Sequence, residues 1–193
     1  TYGYKGIEYD ELKLDLANKS ASLSGFAGKN AYGLTCHAQS KDFKEMINHF
    51  MQTLLTPSFK DEFIKHEKTL SLRMIDNQEE NAVKQCFKRF SQVIFKDHHY
   101  ALDIIGTKKS IENITPMTIK GLHSTNLKDK EILITYCGSQ SVDEVYPEIE
   151  KFLKTLKPRK IKKTPVLKVG NIESQNIDID FDREQTQIFM GYP

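Results

Sequence analysis

The sequence predicts an α+β fold: a two-layer, largely antiparallel sheet with helices packed on one face. Three observations carry this. A hairpin-like pair of alternating segments lies at 20–39. Three stretches with helical spacing of apolar residues follow between 40 and 95. A single β-branched run, "EILITYCG" at 131–138, stands between two further helical stretches. Helices grouped beside an antiparallel sheet define the α+β class.

The elements follow in order. Residues 8–19, "EYDELKLDLANK", place Leu12 and Leu16 four apart, one above the other on a helix. "SASLSGFAG" at 20–28 alternates small and apolar residues and predicts a strand. Lys29-Asn30 turns the chain into a second strand, "AYGLTCHAQ". After Ser40, residues Phe43, Met46, Ile47, Phe50, Met51 and Leu54 recur at helical spacing. Thr56-Pro57 stops that helix, because proline cannot continue the ladder. Ser58 and Asp61 supply a hydroxyl and an acidic first turn for the next helix, continued by Phe63, Ile64, Leu70 and Met74. A break is expected near Asp76-Asn77. A helix over 79–95 then turns Ala82, Cys86, Phe87, Phe90 and Ile94 inward.

"KDHHYALDIIGTKKS" predicts a loop, and Thr115-Pro116 a short helix with proline in its first turn. The run at 131–138 is the clearest strand. Ser141 and Glu144 form a capping box for a helix over 142–156. "KPRKIKKTPVLKVGNIESQ" has two prolines, a basic cluster and no period, and predicts a linker; "NIDIDFD" and "EQTQIFMGYP" are strand-like again. The organisation read from this is one α+β domain over 1–157, a linker over 158–176, and the first strands of a following domain over 177–193.

Composition narrows the function classes. A net charge of +2 over 193 residues lacks the electrostatic footprint of a nucleic-acid binder. No apolar run approaches the ~18 residues of a membrane span. The opening "TYGYKGIEYDEL" has no apolar core segment of the signal-peptide kind. Cys36, Cys86 and Cys137 form no C-x-x-C pair and are odd in number, so they read as small buried hydrophobes.

Candidate chemistry is sparse. His98, His99, Tyr100 and Asp103 form the densest polar group, but adjacent histidines point different ways, which favours a loop over a zinc site. His66-Glu67 is half a metal motif, since Leu70 stands where a second histidine is needed. Cys36 and His37 would face opposite sides of a strand. "KPRKIKK" reads as a solvated linker. The strand "SLSGFAG" has few side chains to pack, which fits either a plain hairpin or a strand approached by another backbone.

Several motifs in register resemble the pitrilysin/insulinase-type zinc metallopeptidases, a family that includes the mitochondrial processing peptidases. "ELKLDLANKSASLSGFAGKNAYGL" is similar to the family's helix, small-residue strand and hairpin. "SKDFKEMINHFMQTLLTPSFKDEFIKHEK" is similar to its paired helices, "FKDHHYALDIIGTKKSIENIT" to its H-P-Y and G-T loop, and "EILITYCGSQSVDEV" to its strand and turn, with Gly138 and Asp143 kept. "DREQTQIFMGYP" is similar to the strand that opens the next domain.

The resemblance implies the following. The family's zinc is held by H-x-x-E-H and a distant Glu. The segment "EKTLSLRM" matches the distant element: Glu67 takes its first Glu, and Met74 stands where the ligand should be. A thioether is too soft and uncharged to replace that carboxylate. By the family's spacing, H-x-x-E-H would precede Thr1. The chain then reads as the non-catalytic half of such an enzyme, with no catalytic residue, no metal ligand and no cofactor, zinc being held by the catalytic half. That half, on the same chain or a separate subunit, is the implied partner, with self-association beside it; nucleic acid and membrane are not. An unfolded peptide would add as a strand along Leu23, Ser24, Gly25, Phe26, Ala27 and Gly28. The alternatives are a fragment of the active half, and a structural subunit that binds no peptide. The implied setting is soluble, in a bacterial cytoplasm or periplasm.

Overall fold

Backbone geometry sets the entry of the chain. Gly3 has φ +85°, and a Cβ there would meet the Ile7 carbonyl oxygen at 2.6 Å, so the position requires glycine. The loop it permits bridges Tyr4 to Ile7 and to Pro57. Lys5 N–H donates to the Thr56 carbonyl (2.9 Å), and Ser58 N–H to the Gly3 carbonyl (3.1 Å). The structure, a computed structural model, describes residues 2–96, 98–156, 174–182 and 184–192.

The elements are α1 (Tyr9–Asn18), β1 (Ser22–Ala27), β2 (Tyr32–His37), α2 (Phe43–Leu55), α3 (Asp61–Glu79), α4 (Ala82–Ile94), α5 (Lys108–Glu112), α6 (Pro116–Asp129) and α7 (Val142–Leu153). Single 3-10 turns lie at Ser40–Asp42 and His99–Ala101. The chain forms two compact units: Thr1–Phe63 with Thr115–Lys163, and Ile64–Ile114 with Thr164–Pro193.

In the first unit, α1 ends in a Schellman motif. Ala21 N–H donates to the Leu16 carbonyl and Ser20 N–H to the Ala17 carbonyl, with Ser20 at φ 49° in the position glycine usually takes. The chain then enters the expected hairpin, where β1 and β2 pair antiparallel from Ser22↔His37 to Ala27↔Tyr32. α1 packs on β1, and α2 packs on β2 and on α7. Tyr4, Leu12, Leu23, Met46, Met51, Val145 and Phe152 are its buried apolar residues. Tyr2 stacks on Phe63 (4.4 Å between centroids) beside Tyr9 and seals the N-terminal edge. Thr115 caps α6 with Pro116 in its first turn, and Ser141 with Glu144 caps α7, as the sequence predicts. α6 runs 14 residues, longer than the short helix expected.

The strand expected at 131–138 is a correction. Among the described residues the only sheet is the two-stranded hairpin, and 131–138 joins no ladder. Its alternation survives: Ile132 and Ile134 are half-buried, while Glu131, Leu133 and Thr135 are exposed. β-propensity reports fitness for a pleated, half-covered surface, and a partner strand completes it. Tyr136 instead packs edge-on to Phe43 (5.6 Å).

In the second unit, Ile64, Ile75 and Ile111 are buried. The helix break falls at Glu80–Asn81 and not at Asp76-Asn77, because Asn81 Oδ1 accepts from Lys84 N–H (3.0 Å) and starts α4. Phe87, expected inward, is exposed, as are Leu70 and Met74 on α3. The loop expected over 96–110 contains the start of α5, capped reciprocally by Thr107 and Ser110. Lys68 Nζ donates to the Glu112 and Ile114 carbonyls at the far end of α5. The expected terminal strands form no ladder over 174–182 and 184–192. Phe189 packs edge-on to Phe87 (5.5 Å), and Cys86 Sγ donates to the Gln187 carbonyl (3.5 Å). The expected linker lies mostly outside the described residues.

Candidate functional site

The hairpin's hydrogen-bond phase decides what β1 offers. Gly28 N–H donates to the Ala31 carbonyl at 2.8 Å, across the pair that closes the turn. Bonded and non-bonded pairs alternate along an antiparallel ladder. Counting back, Phe26/Gly33, Ser24/Thr35 and Ser22/His37 are the bonded pairs. The N–H and C=O groups of Gly25 and Ala27 therefore turn away from β2, toward the outer edge of β1. The described residues place no strand on that edge.

Side chains leave the edge open. Leu23 is 8% exposed and anchors the strand, while Ser24, Gly25, Phe26, Ala27 and Gly28 are exposed. Phe26, though 52% exposed, leans across the pair: a Cβ on Gly33 would meet its ring at 2.9 Å. The ring thus covers Gly33 and keeps clear of the outer edge.

A second constellation escaped the sequence reading. Tyr4 Oη pairs with His49 Nδ1 (2.9 Å), and His49 Nε2 with Asp15 Oδ2 (2.7 Å). Lys19 pairs with Asp15 and with Glu45 (3.1 Å). His49 is 4% exposed. The Lys19 ammonium holds the Asp15 carboxyl below the usual carboxylate range, and His49 adds to this. Asp15 and then Glu45 raise Lys19. Burial, with Glu11, Asp15 and Glu45 nearby, pushes the Tyr4 hydroxyl up. Asp15, Glu45 and His49 bring metal-type donors within 4.8 Å of one another. The cationic place between the two carboxylates already holds the Lys19 ammonium, so the cluster works as a pin joining the N-terminal segment, α1 and α2. Its sequence signal was faint: His49 shares the inward face of α2 with Met46 and Thr53, at spacings of three and four.

The other candidates stand apart. Glu67 and Met74 both lie on α3, exposed, with Met74 at 55%. One carboxylate and one thioether do not make a zinc donor set, and neither residue belongs to the cluster of donors above. His98 caps the 3-10 turn, its Nδ1 accepting from Tyr100 N–H (3.1 Å), and its ring stacks on His99. Burial, then the neighbouring His99, pushes His98 down. Asp103 accepts from Ile105 N–H within the same loop. His66 is exposed on α3. Cys36 pairs across from Leu23 and His37 from Ser22, on opposite faces, and burial raises the Cys36 thiol. Cys137 is exposed, against the expectation that all three cysteines are buried; among the described residues no strand covers its segment.

No model of a known protein family matches the sequence. The chain is 21% identical over 156 residues to a probable mitochondrial-processing peptidase subunit beta of Schizosaccharomyces pombe, which covers 81% of this chain and 34% of that protein. Among solved structures, a peptidase M16 inactive domain from Pseudomonas fluorescens superposes with TM-score 0.71 at 18% identity, over 88% of this chain and 41% of that one. A protease from Helicobacter pylori superposes with TM-score 0.66 at 16% identity, over 84% and 39%. The chain thus spans about two fifths or less of the proteins it matches. With the hairpin, paired helices and capped α7 in the order the motifs anticipate, its fold is that of the M16-type peptidase structures on which it superposes.

Proposed function

We propose that this chain is part of a non-catalytic half of a zinc peptidase, which forms a wall of its peptide-binding chamber, and that the outer edge of β1 receives the substrate as an added strand. The carrying observation is the phase of the hairpin: Gly25 and Ala27 present backbone donors and acceptors outward, from a strand whose side chains keep clear. Ladder bonds to a substrate backbone give affinity without reading sequence.

Met74 in place of a carboxylate supports a chain that is inactive by itself. The zinc and the hydrolytic step belong to a catalytic half, on the same polypeptide or a partner subunit. The limited span of the matched proteins supports such a larger assembly. A larger sheet, built in two layers with the 131–138 segment as a member, fits the same reading: the alternation of half-buried Ile132 and Ile134 is that of a strand with one covered face.

The test is kinetic, in the full-length assembled enzyme. Ala27→Pro removes an outward N–H without touching the β1–β2 ladder. It should raise KM for long peptides severalfold and leave turnover little changed. Unchanged cleavage of long peptides by this variant would instead support a structural subunit.

A further inference from the structure

Of the helices α1, α2, α6 and α7, only α6 has no buried residue. Its inner face is a half-buried stripe of Pro116, Ile119, His123, Asn126 and Leu127 at helical spacing. A lone helix of 14 residues is marginal in water, so its hold on the rest of the unit decides whether it stays folded. Two polar side chains of the stripe contribute to that hold. Asn126 Nδ2 donates to Tyr32 Oη (3.1 Å) at the start of β2. His123, mid-stripe, donates to the Leu54 carbonyl at the end of α2, and its ring lies edge-on to Phe59 (5.5 Å) in the joint between α2 and α3. The Nε2 atom of that ring is buried and has no hydrogen-bond partner. Nδ1 therefore carries the proton that reaches Leu54, and Nε2 holds a bare lone pair.

We propose that His123 is a proton-operated latch that docks α6 on the α2–α3 joint when neutral and lets the helix go when protonated. While α6 is docked, a proton on Nε2 is a buried donor without an acceptor, which is costly. The Leu54 carbonyl favours the charged ring, but burial is the larger influence and disfavours it. No charged neighbour along either element relieves the burial. Lys120 on α6, and Lys60 and Asp61 after Phe59, are exposed. Lys60 pairs with Glu8, and the Tyr32 hydroxyl accepts from Asn126. Undocked, the ring regains water and its ordinary proton affinity. Docking is thus complete above the ordinary 6.5 and declines as pH falls below it. Released by His123, α6 keeps the Asn126 bond but has no buried residue to anchor it. It opens locally, while α1, α2 and β1, each with buried residues of its own, stay closed.

The experiment is hydrogen exchange by mass spectrometry on the full-length protein, from about pH 7.5 to about pH 5, corrected for intrinsic rates, with α2 as the internal reference. Protection of α6 should fall by up to about tenfold per pH unit below the ordinary histidine value, the limit for one linked proton, while that of α2 holds. A ring-labelled histidine titration by NMR should show His123 protonating over the same range. His123→Asn, whose amide N–H can reach Leu54 and cannot titrate, should make α6 protection flat with pH. Protection of α6 that is flat in wild type, that falls in step with α2, or that falls equally in His123→Asn would overturn the latch. So would a His123 ring that stays neutral while α6 opens.

Discussion

At the scale of single residues, the pin around His49 is where a small change should cost most. Asp15→Ala leaves the buried His49 ring and the Lys19 ammonium without their shared acceptor. The expected loss is about 1–3 kcal/mol in urea denaturation, the range for orphaning a buried polar partner. pH carries two signatures. The Asp15 carboxyl is depressed in the folded chain, so its contribution is complete above its ordinary 3.8 and is lost as pH falls below that value. His123 is also depressed, by burial, against the hydrogen bond to the Leu54 carbonyl; its ring lies edge-on to Phe59. Its unfolded form takes up a proton first, so stability should be full above the ordinary 6.5 and decline as pH drops below it. His123→Asn keeps a donor for Leu54 and cannot titrate. Thermal melts between pH 7 and 5 should show a shallower decline for this variant than for wild type.

At the scale of elements, the hairpin and the helix ends make opposed predictions from similar substitutions. Gly33→Val must displace the tip of the Phe26 ring, which is half-exposed and can swing away, so it should lower the melting temperature only modestly. Gly25→Val brings its Cβ into ordinary contact with the Gly33 carbonyl oxygen (3.8 Å) and should be neutral or slightly stabilising by comparison. Melting temperatures of the two variants, side by side, check whether the glycines differ as the geometry requires. Ser20 holds a left-handed conformation at the end of α1 that glycine adopts without a Cβ clash, so Ser20→Gly should stabilise by up to about 1 kcal/mol. Asn81→Ala removes the cap that starts α4 and should cost about 0.5–2 kcal/mol. Equal melting of Asn81→Ala and wild type would mean that the α3–α4 break is held by tertiary packing alone.

At the scale of the whole molecule, surface left uncovered governs behaviour. Among the described residues no strand joins the outer edge of β1, and side chains of the 131–138 segment are exposed, with Leu133 at 85%. Such edges recruit partners. The 193-residue chain should therefore self-associate at micromolar concentration in sedimentation, and a compact monomer there would contradict this. Metal analysis of the same preparation should find no stoichiometric zinc held near Met74, because the uncharged thioether that α3 offers there is a poor zinc ligand.

Read alone, the sequence determined what is local. Helical spacing of apolar residues placed α1 and α2. Thr115-Pro116 and Ser141 with Glu144 placed two helix starts, because a cap is satisfied within four residues. The small residues of 20–28, with Lys29-Asn30 after them, placed the hairpin and its turn. Tertiary structure alone decided what depends on distant partners. A β-branched run looks the same with or without a neighbouring strand, and among the described residues 131–138 joins no ladder despite its composition. His49 meets Tyr4 and Asp15 from 45 and 34 residues away, separations that no periodicity records. The phase of the β1 ladder came from one hydrogen bond at the turn, and it turned two small residues into an outward row of donors and acceptors. Side-chain pattern is written along the chain; which backbone groups remain unshared is settled only when the chain has folded.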